Sequence, residues 1–214
     1  MALYLMLCDY SPYHGPDRWV WGHDNSENFT VASIKRIAEL IGRAVPEYQF
    51  VWNSYVPKKV GIVPWRALLE RLPTRVALTA RSVNIGDTSC VLCGDYEETS
   101  EHLFVSCQFA QSVWLVMAQW CKSPPVIAFS LRDILDAHMF LPGSKKKKKV
   151  FGAISHVVIW SLWKMRNEVL FGEANPSVSK VVEESKSMSY HWVKNRSKSS
   201  HWSWGEGCSF NLVM

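Results

Sequence analysis

Long apolar runs are missing from this chain. None of its hydrophobic stretches in 214 residues approaches the roughly 20 positions that a bilayer-spanning helix needs, which predicts no membrane span and no membrane partner. Residues 1–10 are apolar, but no basic residue precedes them and Asp9 interrupts too early, so no secretory signal is predicted. No internal repeat is visible, which argues against an array architecture. Excess charge is also small: the net charge is +5, the isoelectric point is near 8.9, and much of the excess sits in the lysine run 145–149. That balance permits an anionic partner without demanding one. A paired nucleophile and base is lacking too. His156, His191 and His201 have no acid and cysteine or serine at a meaningful spacing, so neither nucleophilic catalysis nor a small-molecule substrate is expected.

What the chain has is apolar mass. Hydrophobic residues make up 48% and charged residues 20%, the balance of a globular protein, with eleven tryptophans that serve equally as core or as stacking surface. Trp19 and Trp21 alternate in the manner of a short strand. Ile34, Ile37, Ala38 and Ile41 share one helical face, with Gly42 and Pro46 to end it. Val60, Val63, Ala67 and Leu68 mark a helix over 56–72 that either kinks at Pro64 or begins there. Pro73-Thr74 caps a second helix running to about 83. Further helices are expected over 109–121, over 131–140 after an N-cap at Ser130, from Phe151 to near Gly172, and after Asn175-Pro176-Ser177. Pro142-Gly143-Ser144 and the five lysines read as a linker, because like charges repel and stay extended. The expected fold class is mostly α. Its expected segments are 1–45, 46–124, a helical extension over 125–172 with linker 142–149, and a helix and tail over 173–214.

Six cysteines without a secretory signal suggest a reducing compartment, where clustered thiols usually hold metal. Cys90, Cys93, His102 and Cys107 follow the pattern C-x2-C-x8-H-x4-C. Thiolates and imidazole are the usual tetrahedral set for one zinc ion, and with all four positions filled none remains for water or substrate. A structural zinc is therefore expected. Gly94 follows the first pair where such a turn needs positive φ. Cys8, Cys121 and Cys208 are left as free thiols. The spacing resembles the retroviral zinc knuckle, C-x2-C-x4-H-x4-C, lengthened by four residues. The insert carries Asp95, Glu97, Glu98 and Glu101, acids that would repel phosphate.

Around this motif stand Val56-Pro57-Lys58-Lys59-Val60, Trp65-Arg66-Ala67, Arg71-Leu72-Pro73-Thr74, His102-Leu103-Phe104, Ile159-Trp160 and Trp163-Lys164-Met165-Arg166-Asn167. In this order they resemble the zinc-binding domain that follows the polymerase of plant LINE-type (non-long-terminal-repeat) retrotransposons. The resemblance implies a small helical zinc-binding domain with a C-terminal helical extension, an accessory module of a reverse transcriptase. It further implies an upstream polymerase domain in the parent element. Its ligands carry over onto Cys90, Cys93, His102 and Cys107. The polymerase does not carry over: there is no Tyr-x-Asp-Asp signature, and Asp87, Asp95, Asp133 and Asp136 form no spaced set for two metal ions. Pro64 and Ser82 depart from the family pattern, the latter replacing a frequent glycine.

RNA or single-stranded DNA is the expected partner. Lys58, Lys59, Arg66, Arg71, Arg75 and Arg81, opposed only by Glu70, form either a basic face toward phosphate or an ordinarily charged surface. The lysine run is either a nuclear import signal or a solvated linker. Trp114, Trp120, Trp160 and Trp163 lie at helical spacing and are assigned to core rather than base stacking. Three functions stand: a nucleic-acid-binding accessory module, a zinc-stabilised protein-interaction scaffold, or an inert retroelement remnant.

Overall fold

The computed structural model describes residues 20–22, 28–40 and 49–197. Cys8, Trp19, Ile41, Gly42, Pro46, His201, Cys208 and the tail beyond Ser197, about which the sequence raised expectations, lie outside them. The chain divides into two compact units, Met1–Gln49 and Phe50–Met214. In the first, α1 (Val31–Leu40) starts at Thr30, whose Oγ1 accepts from the Ser33 N–H while the Ser33 Oγ accepts from the Thr30 N–H. Trp21 meets Phe29 edge-on at 5.1 Å.

The second unit holds the site. α2 (Lys58–Leu68) follows Pro57, and α3 (Arg75–Thr79) is capped by the Thr74 hydroxyl, which accepts from the Ala77 N–H. A five-residue π-helical turn, His102–Ser106, precedes α4 (Gln108–Trp120). α5 (Leu131–Phe140) opens on a capping box in which Ser130 and Asp133 exchange bonds. α6 (Lys145–Gly172) and α7 (Val178–Arg196) follow, the latter capped by Ser177. Among the described residues the sole strand-like pairing is an isolated bridge, Ser89 to Glu97. The mostly α fold class holds, and no described helix is long and apolar enough to cross a membrane.

α6 is the axis of the unit. At 28 residues it is about 42 Å long. Ten consecutive side chains, Val150 through Ile159, are buried, so the helix has no wet face there. α2, α5 and α7 all pack on it, and α4 packs on α7 and on the π-turn. Ser161, Ser185 and Ser189, all buried, are small residues on α6 and α7, the closest-knit pair.

Three sequence expectations need correcting. The lysines are not an extended linker but the first five residues of α6. Ser144 caps them by accepting from the Lys147 N–H, Lys148 Nζ donates to the Met139 carbonyl, and Lys149 lies 4.5 Å from the Tyr55 ring centroid. Cations at a helix N-terminus are unfavourable. The apolar length that follows outweighs this, and the long stems lie along neighbouring surface while the charges stay wet.

Pro64 neither starts α2 nor ends it. The helix begins at Lys58 and runs through it, forgoing one hydrogen bond, and the ring is buried as a core residue. The second helix stops at Thr79, short of 83, and Ser82 turns the chain with φ +61°. That left-handed conformation costs a non-glycine residue about 1–2 kcal/mol, which is the physical content of a serine at a glycine position.

Candidate metal centre

Cys90 and Cys93 lie on a tight turn closed by a bond from the Gly94 N–H to the Cys90 carbonyl, 2.7 Å. Gly94 has φ +80°, as its place after the pair requires. The turn is pinned at its base by Cys90 N–H to Tyr96 O (2.7 Å) and Glu98 N–H to Thr88 O (2.8 Å). Backbone N–H groups of Leu92 and Cys93 point at the Cys90 sulfur, and those of Phe109 and Ala110, at the start of α4, point at Cys107.

His102 opens the π-turn and Cys107 follows it directly. The Thr99 hydroxyl accepts from the His102 N–H (2.9 Å), and the His102 carbonyl accepts from the Cys107 N–H (2.8 Å), an i to i+5 bond. In an α-helix, residues five apart face different directions. The wider π-turn brings them nearly to one side, which is how an x4 spacing delivers both to one ion.

The three sulfurs and an imidazole nitrogen all lie within 4.8 Å of one another, and Cys93 Sγ is 3.2 Å from His102 Nε2. A tetrahedron with zinc–sulfur bonds of about 2.3 Å has edges of roughly 3.5–3.8 Å, so the cluster closes on an ion by shifts under about 1 Å. Cys90, His102 and Cys107 are buried and Cys93 is half-buried. The electrostatics ask for a cation. A hydrogen bond to Cys107 and then burial push the Cys90 thiol up, while the bond from Cys90 holds Cys107 down. Burial lowers His102, favouring the neutral imidazole that metal binding uses. Ser106 Oγ lies 3.3 Å from His102 Nδ1, leaving Nε2 for the metal. Removing an outer-shell partner of this kind costs about 10–100-fold in metal affinity. Ser106→Ala should weaken zinc binding in that range in a competition titration while the apo protein keeps its helix content; unchanged affinity would show the contact idle.

Residues 29–114 match the family described as zinc-binding in reverse transcriptase. Over this segment the chain is similar to a reverse-transcriptase zinc-binding domain. No curated protein and no solved structure matches the chain. The matched family is an accessory zinc-binding domain rather than a catalytic polymerase domain, and the four clustered residues fit one structural zinc ion.

One residue pair escaped sequence reasoning. Glu98, fully buried, receives the Arg166 guanidinium through Nε (3.0 and 3.2 Å to its two oxygens) and Nη2, and also accepts from the Arg75 N–H at 3.0 Å. Arg166 further lies over the Trp163 ring at 4.8 Å. The zinc loop is thereby bolted to α6, 68 residues away. Glu101 is likewise engaged, accepting from the Leu131 N–H at the start of α5 (2.8 Å). Of the four acids expected to repel phosphate, Asp95 and Glu97 remain uncommitted to the core.

The basic residues separate. Lys58, Lys59 and Arg66 lie on the exposed face of α2, and Arg71 is exposed just beyond. Arg81 is exposed and donates to the Glu70 carbonyl (3.3 Å). Arg75 is drawn away: its Nη1 bonds Asp87 (3.1 Å) and the Ser89 carbonyl (3.0 Å). Trp114 is core, its indole N–H donating to the Phe104 carbonyl (2.8 Å), while Trp120, Trp160 and Trp163 pack half-buried against the core. His156 is buried in α6 with Nδ1 at the Gly152 carbonyl, Asp133 serves the cap of α5, and Cys121 is a buried free thiol.

Proposed function

We propose that the protein is a nucleic-acid-binding accessory module without catalysis, descended from the reverse transcriptase of a plant LINE-type element, whose zinc serves the fold. The observation that carries this reading is the solvent face of α2. Lys58, Lys59 and Arg66 share it, Arg71 follows, and no acidic residue occurs over 58–69. Phosphate contacts by such groups release counterions, so affinity for RNA or single-stranded DNA should fall steeply with salt, by about 0.7 log units per contact for each tenfold rise. Reversing Lys58, Lys59 and Arg66 together should flatten that slope by about 2 and leave zinc content intact. Reversing lysines 145–149 is the control for a generic polycation. If that control abolishes binding while the α2 variant keeps it, the assignment is wrong. The same preparation should incorporate no nucleotides on a primed template.

A second reading has its own observation. A cleft of about 550 Å³ between the 124–129 segment and α5 is lined by Ile127, Phe129, Met139 and Phe140, and Phe129 is 90% exposed. Apolar surface of this kind favours protein contact. Should the parent chain bind no nucleic acid near physiological salt, the scaffold reading replaces the first.

A further inference from the structure

α2 carries a glycine in its interior, where glycine weakens a helix. Its use here is steric. The Trp52 indole lies on Gly61, and a Cβ at that position would sit 3.0 Å from Cζ3 and 3.1 Å from Cε3. Phe50 meets the same ring edge-on at 5.0 Å, and the Lys58 ammonium lies 4.6 Å from its centroid. Trp65 stands beside it with centroids 6.3 Å apart and planes tilted by 38°. The two rings are positioned but not covered: Trp52 is 41% exposed and Trp65 36%, against 8% for the core indole of Trp114. Positions 58, 62, 65 and 69 form one stripe along α2, with 59 and 66 beside it. Exposed Ile62 and Leu69 thus extend the aromatic surface, and all three basic side chains border it.

We propose that this strip is a stacking platform for unpaired bases of a single strand, with Lys58, Lys59 and Arg66 on the flanking phosphates. The inference rests on the nucleic-acid reading and narrows it. A duplex could use the cations but keeps its base faces stacked inside, leaving both indoles wet. A single strand offers flat apolar faces and charged phosphates in alternation, the same chemistry that the stripe displays. Base faces and phosphates are common to RNA and DNA, so the platform accepts both sugars.

The test uses the full zinc-loaded chain with oligo(dT), oligo(U) and a mixed-sequence duplex, each of about 20 nucleotides. Both single strands should bind comparably and more tightly than the duplex. Trp65→Ala should weaken them on the order of tenfold, with duplex affinity and salt slope unchanged. A 2-aminopurine placed in the strand should be quenched by the parent and not by the variant. Gly61→Ala, which favours the helix but displaces Trp52, should also weaken single-strand binding. Zinc content reports folding, and if Trp65→Ala loses zinc, Trp65→Leu keeps the apolar bulk without the ring. Equal affinity for duplex and single strand, a strong preference for one sugar, or indifference to both tryptophan variants overturns the platform. If that indifference comes with a steep salt dependence, the nucleic-acid reading stands alone; if the parent binds nothing, both fall.

Discussion

Chelation of the metal should unfold residues 86–121 and loosen the helices that rest on them. Structural zinc contributes apparent binding energies on the order of 10–16 kcal/mol, as much as the whole stability of an ordinary domain. Here the ligands draw on nearly every local element: the turn at 90–94, the π-turn, and the N-terminus of α4. Without a cation, three thiol groups and an imidazole share one largely buried pocket, where thiolates have no countercharge. Purified protein should carry one zinc per chain. Cys93→Ser should lose metal and show loss of amide protection confined first to 86–121. Full protection in a metal-free preparation would sink the assignment.

The second large effect lies at Glu98. Removing one partner of a buried ion pair leaves the other charge desolvated, at a cost of about 3–5 kcal/mol. Glu98→Gln strands the Arg166 guanidinium, which is only 2% exposed. The melting temperature should drop by about 10 °C for a chain of this size. Arg166→Met should cost as much, and the double variant should recover most of either loss, since a neutral pair needs no compensation. Zinc stoichiometry should survive in all three, which separates this effect from metal loss. A penalty below about 1 kcal/mol for the single variants would mean the pair is hydrated and dispensable.

Features that depend on near neighbours were legible in the sequence. Thr74, Ser130 and Ser177 each cap a helix where a hydroxyl precedes an apolar period. The four ligands and the positive φ of Gly94 follow from spacing alone. What could not be read was set by residues far away or by competition between effects. Glu98 looks like one more acid in a polar loop, and Arg166 like one more helix-face cation; only the fold brings them together across 68 positions. The lysines repel one another, yet the buried length of α6 decides their conformation. Pro64 is a helix breaker by local rule, overruled by the core that its ring fills. The π-turn had a faint signal, since an x4 gap between ligands suits an i to i+5 turn better than an α-helical one.

The bolt between Glu98 and Arg166 also bears on how the chain matures during synthesis. All four ligands leave the ribosome within an 18-residue window, so the metal can be captured by contacts that are local along the chain. The carboxylate beside them then waits for α6 to be translated before it finds its counter-ion. A nascent chain, or a fragment trimmed at residue 114 where the family match ends, holds every zinc ligand and still carries an acid that belongs in a dry interior. The segment that binds the ion and the segment that folds are of different lengths, and the longer one sets where the domain can be cut.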